Sequence, residues 1–108
     1  MSDFFKDVIE VVKLIPHGKV TSYGMIANYL GAKKSSRLVG WALNKVLQNS
    51  EIPAHRVVNR NGLLTGKNNF PTQNYMKEEL QKEGLTIIEN SIVDYNNHLW
   101  DPTKELTI

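Results

Sequence analysis

Two amphipathic patterns joined by a four-residue turn constrain this chain more than any other feature. In the first pattern, Ile26, Tyr29 and Leu30 share one helical face. Thr21 or Ser22 opens it and Gly31 ends it. After Gly31-Ala32-Lys33-Lys34, Ser35 or Ser36 opens the second, with an apolar stripe of Leu38, Val39, Ala42, Leu43, Val46 and Leu47. Two short helices joined this tightly read as a helix-turn-helix. Upstream, Phe4, Phe5, Val8, Ile9, Val12 and Ile15 recur at helical spacing, with Ser2 or Asp3 as a cap and Pro16-His17-Gly18 as a stop. Downstream the period changes. Arg56-Val57-Val58, residues 59–62 and Leu63-Leu64 predict a small hairpin turning at Asn61-Gly62, where a wing would stand. Residues 65–71 predict a loop. Thr72 then caps a helix carrying Tyr75, Met76 and Leu80, with Gly84 at its C′ position. The tail has apolar residues at 85–88, a polar stretch, and then Leu99-Trp100-Asp101-Pro102. The expected fold is α+β, mainly helical: one winged helix-turn-helix domain over residues 1–108.

A chain of 108 residues, 41% hydrophobic and 22% charged, suits one core of ordinary size. Its apolar runs are too short for a membrane-spanning helix, and residues 1–13 carry acids and no apolar signal core. It contains no cysteine, which excludes disulfides, thiolate metal sites and a cysteine nucleophile together. A cytoplasmic protein is the expectation. Net charge is only +2, but it is unevenly spread. Residues 1–10 carry −2, residues 11–70 carry +8 with Glu51 as their one acid, and residues 71–108 carry −4. A basic middle between acidic ends is the electrostatic footprint of a face that binds a polyanion.

His17, His55 and His98 lack metal-ligand spacing, and no Gly-rich phosphate loop or nucleophile-elbow pattern is present. No metal or cofactor is expected. On the third helix, Arg37, Gly40, Trp41 and Asn44 lie opposite the apolar stripe. An interior glycine costs a helix about 1 kcal/mol against alanine, and close approach of a partner to the backbone is a reason to keep one there.

Pro53-Ala54-His55-Arg56-Val57-Val58 resembles the active-site motif of the O6-alkylguanine-DNA alkyltransferases, Pro-Cys-His-Arg-Val-Val/Ile. Further segments are similar to the same family. Ile15-Pro16-His17-Gly18-Lys19-Val20-Thr21-Ser22-Tyr23-Gly24 resembles the opening of its DNA-binding domain, and Arg37-Leu38-Val39-Gly40 its recognition helix. Asn61-Gly62 falls at its wing turn and Glu83-Gly84 at its late Glu-Gly pair. The decisive departure is Ala54, at the position of the acceptor cysteine. A methyl group cannot accept an alkyl group, so suicide transfer is chemically impossible. The chain is thus most similar to the alkyltransferase-like proteins, which lack that cysteine and bind alkylated guanine without repairing it.

The resemblance implies a role for each matching residue. Arg37 would enter the duplex in place of an extruded base, and Tyr23 would crowd the 3′ phosphate and promote rotation. Gly40 would let the third helix approach the minor groove, with Thr21, Ser22, Lys33 and Lys34 on the same DNA-binding face. Lys19, Arg56 and Arg60 are further candidates for phosphate contacts. Trp41 stands where the family has a small residue, which leaves a stacking role at the rim or a different facing. Leu43, Pro53, Ala54, Val57 and Gly66 would line the lesion pocket, and Trp100 would form its far wall or anchor the tail. The family's pocket tyrosine falls near Lys67, so the pocket should be enlarged, and its recognition-helix asparagine falls at Val46. His55 and Glu83 match the catalytic relay and would persist as a buried hydrogen-bonded pair. The implied function is non-catalytic: a monomer that binds double-stranded DNA containing O6-alkylguanine, flips the base and flags it for nucleotide excision repair proteins, with no membrane role. Two alternatives remain open at this stage, a winged-helix regulator that does not read damage and a protein-interaction module.

Overall fold

The structure is a computed structural model that describes residues 3–31 and 35–106. Lys33 and Lys34, like the candidate cap Ser2, lie outside the described residues. Helix α1 (Asp3–Lys13) buries Val8, Val11 and Val12 along one face and packs against the third helix. Its last turn tightens: Leu14 donates to the Val11 carbonyl at 2.9 Å and Ile15 to that of Val12 at 3.2 Å, before Pro16 prevents continuation.

Strand β1 (Thr21–Ser22) leads directly into helix α2 (Tyr23–Tyr29). Ser22 serves both elements. Its backbone is extended, at φ −115° and ψ 161°, while its Oγ accepts the Met25 N–H at 3.1 Å and caps the helix. Gly31 follows with φ +77°, a left-handed position that ends the helix cheaply only for a residue without Cβ. Helix α3 (Ser36–Asn44) buries Val39, Ala42 and Leu43 against α1 and α2. It stops one turn earlier than its apolar stripe predicts. Val46 bonds back to the Leu43 carbonyl in a tight turn, yet Val46 and Leu47 still pack on the core.

The expected wing hairpin does not form a ladder. A short 3₁₀ turn (Ala54–Arg56) leads to strand β2 (Val57–Val58), which pairs in parallel with β1, Thr21 opposite Val57 and Ser22 opposite Val58. The turn at residues 59–62 is present, with Gly62 at φ +79°. Asn59 organises it: its Oδ1 accepts from Asn61 at 2.8 Å and from Leu63 at 3.0 Å, its carbonyl accepts from Gly62 at 2.9 Å, and its N–H donates to the Leu63 carbonyl at 3.1 Å. The side-chain bonds make this an Asx-type turn, and Leu63 also bridges to Ser91 of the tail.

Helix α4 (Tyr75–Lys82) begins after Asn74, not Thr72, and buries Met76 and Leu80. Gly84, at φ +97°, occupies the C′ position. Strands β3 (Ile87–Ile88) and β4 (Ser91–Ile92) form an antiparallel hairpin through Glu89 and Asn90, both at positive φ. Helices α5 (Tyr95–His98) and α6 (Pro102–Glu105) close the described residues, the latter capped by Asp101 and packed on α2. Between them the tail runs beside β1: Val20 donates to the His98 carbonyl at 2.9 Å and Trp100 to that of Val20 at 2.7 Å. The resulting α+β fold, dominated by helices around an α2–α3 helix-turn-helix, shares one hydrophobic cluster running from Val8 to Trp100.

Candidate functional site

The exposed face of α3, the start of α2, the Ala54 turn and the loop at residues 65–70 enclose a cavity of about 380 Å³. Arg37, Gly40, Trp41 and Asn44 form one side, as helical spacing requires of positions i, i+3, i+4 and i+7. Leu43 and Ala54 supply apolar wall from the core side, and Tyr23 lines it with its hydroxyl against Gly66. A Cβ on Gly66 would come within 2.7 Å of the Tyr23 hydroxyl, so this glycine leaves the phenol its place. Burial raises the Tyr23 hydroxyl above its ordinary pKa, which keeps it a neutral hydrogen-bonding group at physiological pH. Arg37 is exposed at the mouth, and no ion pair holds its guanidinium among the described residues.

Of the residues expected in a pocket, Leu43, Ala54 and Gly66 line this cavity, as do Tyr23, Arg37 and Gly40 of the expected DNA-binding set. Pro53, Val57 and Trp100 do not. Val57 is buried in β2, where its side chain packs in the core. Pro53 faces a second depression on the other side of the turn, because the 3₁₀ geometry at Ala54–Arg56 sends neighbouring residues in different directions. Trp100 is 7% exposed and anchors the tail beside Val20. Thr21 and Ser22 are also buried: their side chains belong to the β1 pairing and the α2 cap. The pocket is not left without a ring. Phe70, which the sequence reading placed in a featureless loop, lines it and stacks on Tyr75 at a centroid distance of 5.2 Å. Ser36, Leu47, Thr65 and Asn69 complete the wall. An aromatic residue ending a loop otherwise rich in Gly, Lys and Asn was the signal available for Phe70.

His55 and Glu83 are joined, but away from the cavity. His55 Nε2 lies 2.7 Å from Glu83 Oε2. Arg56 binds the same carboxylate, with Nε 3.0 Å from both oxygens, and its Nη1 donates to the Ile15 carbonyl at 2.7 Å. The Gly18 N–H donates to Glu83 Oε1 at 2.8 Å. Burial alone would raise the Glu83 pKa. Arg56, Gly18 and His55 outweigh it and hold the carboxyl down at about 2. The ionised carboxylate can only accept, so the imidazole donates to it. Arg56 is thereby committed to an internal cluster and is withdrawn from the candidate phosphate contacts. Lys19 is partly engaged as well, its Nζ donating to the Asn97 carbonyl at 3.2 Å, whereas Arg60 is exposed.

Chemically, the cavity can hold a planar group with a substituent and offers it hydroxyl, amide and guanidinium groups. Ala54 presents a methyl to it, and among the described residues no histidine or carboxylate lines it.

The family model described as 6-O-methylguanine DNA methyltransferase, DNA binding domain, matches residues 3–85. The chain is 32% identical over 106 residues to alkyltransferase-like protein 1 of Schizosaccharomyces pombe, covering 94% of this chain and 98% of that one. It is 34% identical over 100 residues to a DNA base-flipping protein of Escherichia coli, covering 91% and 74% respectively. Its fold is similar to the crystal structure of S. pombe Atl1 in complex with damaged DNA containing O6-carboxymethylguanine. The TM-score is 0.81 at 29% identity, over 94% of this chain and 98% of the other.

Proposed function

The chain belongs to the 6-O-methylguanine DNA methyltransferase DNA-binding family, and from that premise we propose that it recognises alkylated guanine in duplex DNA without repairing it. With Ala54 in the motif and no cysteine in its 108 residues, it cannot take an alkyl group onto a thiol. The observation that carries the reading is the cavity itself. It opens beside the exposed face of α3, lies between Arg37 and Tyr23, and ends on Ala54 where the reacting sulfur would stand. The α3 face enters the minor groove, Arg37 fills the gap left by the extruded nucleotide, and the base is held between the Leu43–Ala54 wall and the Gly66–Phe70 loop. Because nothing is transferred, the complex persists as a mark. Nucleotide excision repair proteins are the proposed readers, and a cytoplasmic monomer is the proposed acting form.

The test is a titration of two labelled duplexes at one salt concentration, one with a single O6-methylguanine and one with guanine. Preference for the lesion by about tenfold or more, roughly 1.4 kcal/mol, is expected. Equal binding would overturn the reading and leave a winged-helix protein that does not read damage.

Gly40 gives a second prediction, in which stability and binding move in opposite directions. A Cβ built there meets no atom within 4 Å, so the free protein has room for alanine. Gly40→Ala is expected to raise stability by about 0.5–1 kcal/mol while weakening duplex binding, because the methyl occupies the surface offered to the groove. Stability is read from urea unfolding and affinity from the same titration. A variant that binds as tightly as the parent would remove Gly40 from the interface.

A further inference from the structure

Trp41 is left unused by the cavity's chemistry and departs from the small residue expected at its position. It is 53% exposed, the largest of the exposed apolar side chains. It borders two depressions: the main cavity, and a shallower groove that it shares with Phe5, Asn44 and Lys45 on the far side. Along α3 it stands one turn after Arg37 and one turn before Lys45, and both of these cations are exposed. Beside it, the open space over Gly40 allows close approach to the helix backbone. An indole held out to solvent between two cations, on the lip of a cavity, has the composition of a nucleic-acid stacking platform. The ring offers a sequence-tolerant face and the cations neutralise phosphates on either side.

We infer that Trp41 is a second duplex-contacting residue, stacking its ring on the sugar of the nucleotide that flanks the extruded one while Arg37 fills the vacated position. The inference rests on the lesion-recognition reading for the placement of the duplex, and it adds a contact with undamaged DNA, not with the alkylated base. A stack of this kind lengthens the lifetime of the complex irrespective of which base lies in the cavity. It therefore raises affinity for lesion and control duplexes alike.

Intrinsic fluorescence isolates the residue. The chain has two tryptophans, and Trp100 is buried beside β1 away from the cavity. Trp41 is thus the indole that a bound duplex can reach. With an unlabelled duplex at saturation, strong quenching of the exposed component is expected for both the O6-methylguanine and the guanine duplex. Trp41→Phe should abolish that response and leave the Trp100 emission unchanged. Trp41→Ala should weaken both duplexes by about tenfold and leave the lesion-to-control ratio intact, as measured by anisotropy of a labelled duplex. Saturated binding without quenching, together with parental affinity in Trp41→Ala, would overturn the stack and leave lesion recognition standing. Quenching confined to the lesion duplex would also overturn it, since the indole would then be touching the alkylated base. Equal quenching and equal affinity for both duplexes would support the stack while overturning lesion recognition, and failure to bind either duplex would overturn both.

Discussion

Replacing Glu83 with alanine is expected to lower the stability of the fold by about 3–5 kcal/mol, the range for removing one partner of a buried ion pair. The carboxylate is 6% exposed and is shared by three segments remote in sequence. It receives His55 and Arg56 from the turn after α3 and the Gly18 N–H from the loop after α1, while Glu83 itself caps α4. Truncation leaves an arginine 16% exposed without its counter-charge and strands a backbone donor. Urea unfolding reads the loss as a lower midpoint with an unchanged slope. A change within about 0.5 kcal/mol, typical of surface substitutions, would show that the cluster is not structural. The pH dependence follows with a definite sign. The folded-state pKa, about 2, lies below the ordinary carboxyl value of 4.5, so the stabilisation is fully present above pH 4.5 and is lost as pH falls toward 2. Allowing for solvent screening, this amounts to about 2 kcal/mol. Glu83→Gln keeps the shape and removes the titration, so its stability should stay flatter than the parent's across that acid window.

What could be read from the sequence divides by physical origin. Helix α3 was legible because Val39, Ala42 and Leu43 repeat at 3.6 residues and Gly31 punctuates the chain before it; both signals are local. The pairing of β1 with β2 was not. Two-residue strands have no period, and the partners Thr21 and Val57 lie far apart in the chain. The wing turn was legible in Asn61-Gly62, but the pairing of its flanks was not: Val57 and Val58 pair with β1 and not with Leu63-Leu64. The β3–β4 hairpin was missed because Glu89 and Asn90 hold positive φ without a glycine to announce it. At the cavity, Tyr23, Arg37 and Ala54 were legible through the motifs that carry them. Pro53 and Val57 were expected at the pocket from the resemblance alone; Val57 is buried in β2, and Pro53 borders the depression on the other side of the 3₁₀ turn. Trp100 was ambiguous for a different reason. An apolar residue near the end of a chain can close a cavity or anchor a tail, and only the bridge between Val20 and Leu99 decides for the anchor.

Arg37→Ala is expected to bring the lesion-to-control binding ratio close to one, a loss of at least about tenfold, or roughly 1.4 kcal/mol, in preference for O6-methylguanine. Two observations place this demand on Arg37. It lines the mouth of the cavity, and its guanidinium has no ion-pair partner among the described residues, so it can be given to a ligand without breaking a contact of the fold. Its exposure also means that truncation should leave thermal stability nearly unchanged, which separates a binding defect from unfolding. Extrusion of a nucleotide costs a few kcal/mol in lost stacking, and that cost is lower for a lesion that already pairs poorly. A planar side chain filling the gap offsets part of it. Without such a side chain, both duplexes are held chiefly through their phosphates, where damage is invisible. Arg37→Lys distinguishes the two components, since it keeps the charge and loses the planar fork. Its affinity should fall with salt as steeply as the parent's, while its ratio should fall nearly as far as that of Arg37→Ala. Losing the charge in Arg37→Ala should lower the slope of log affinity against log salt by about 0.9, the value for one phosphate contact on a duplex. A ratio left intact in Arg37→Ala, with only that slope reduced, would make Arg37 a phosphate contact and move the discrimination to the wall formed by Leu43, Ala54 and Phe70.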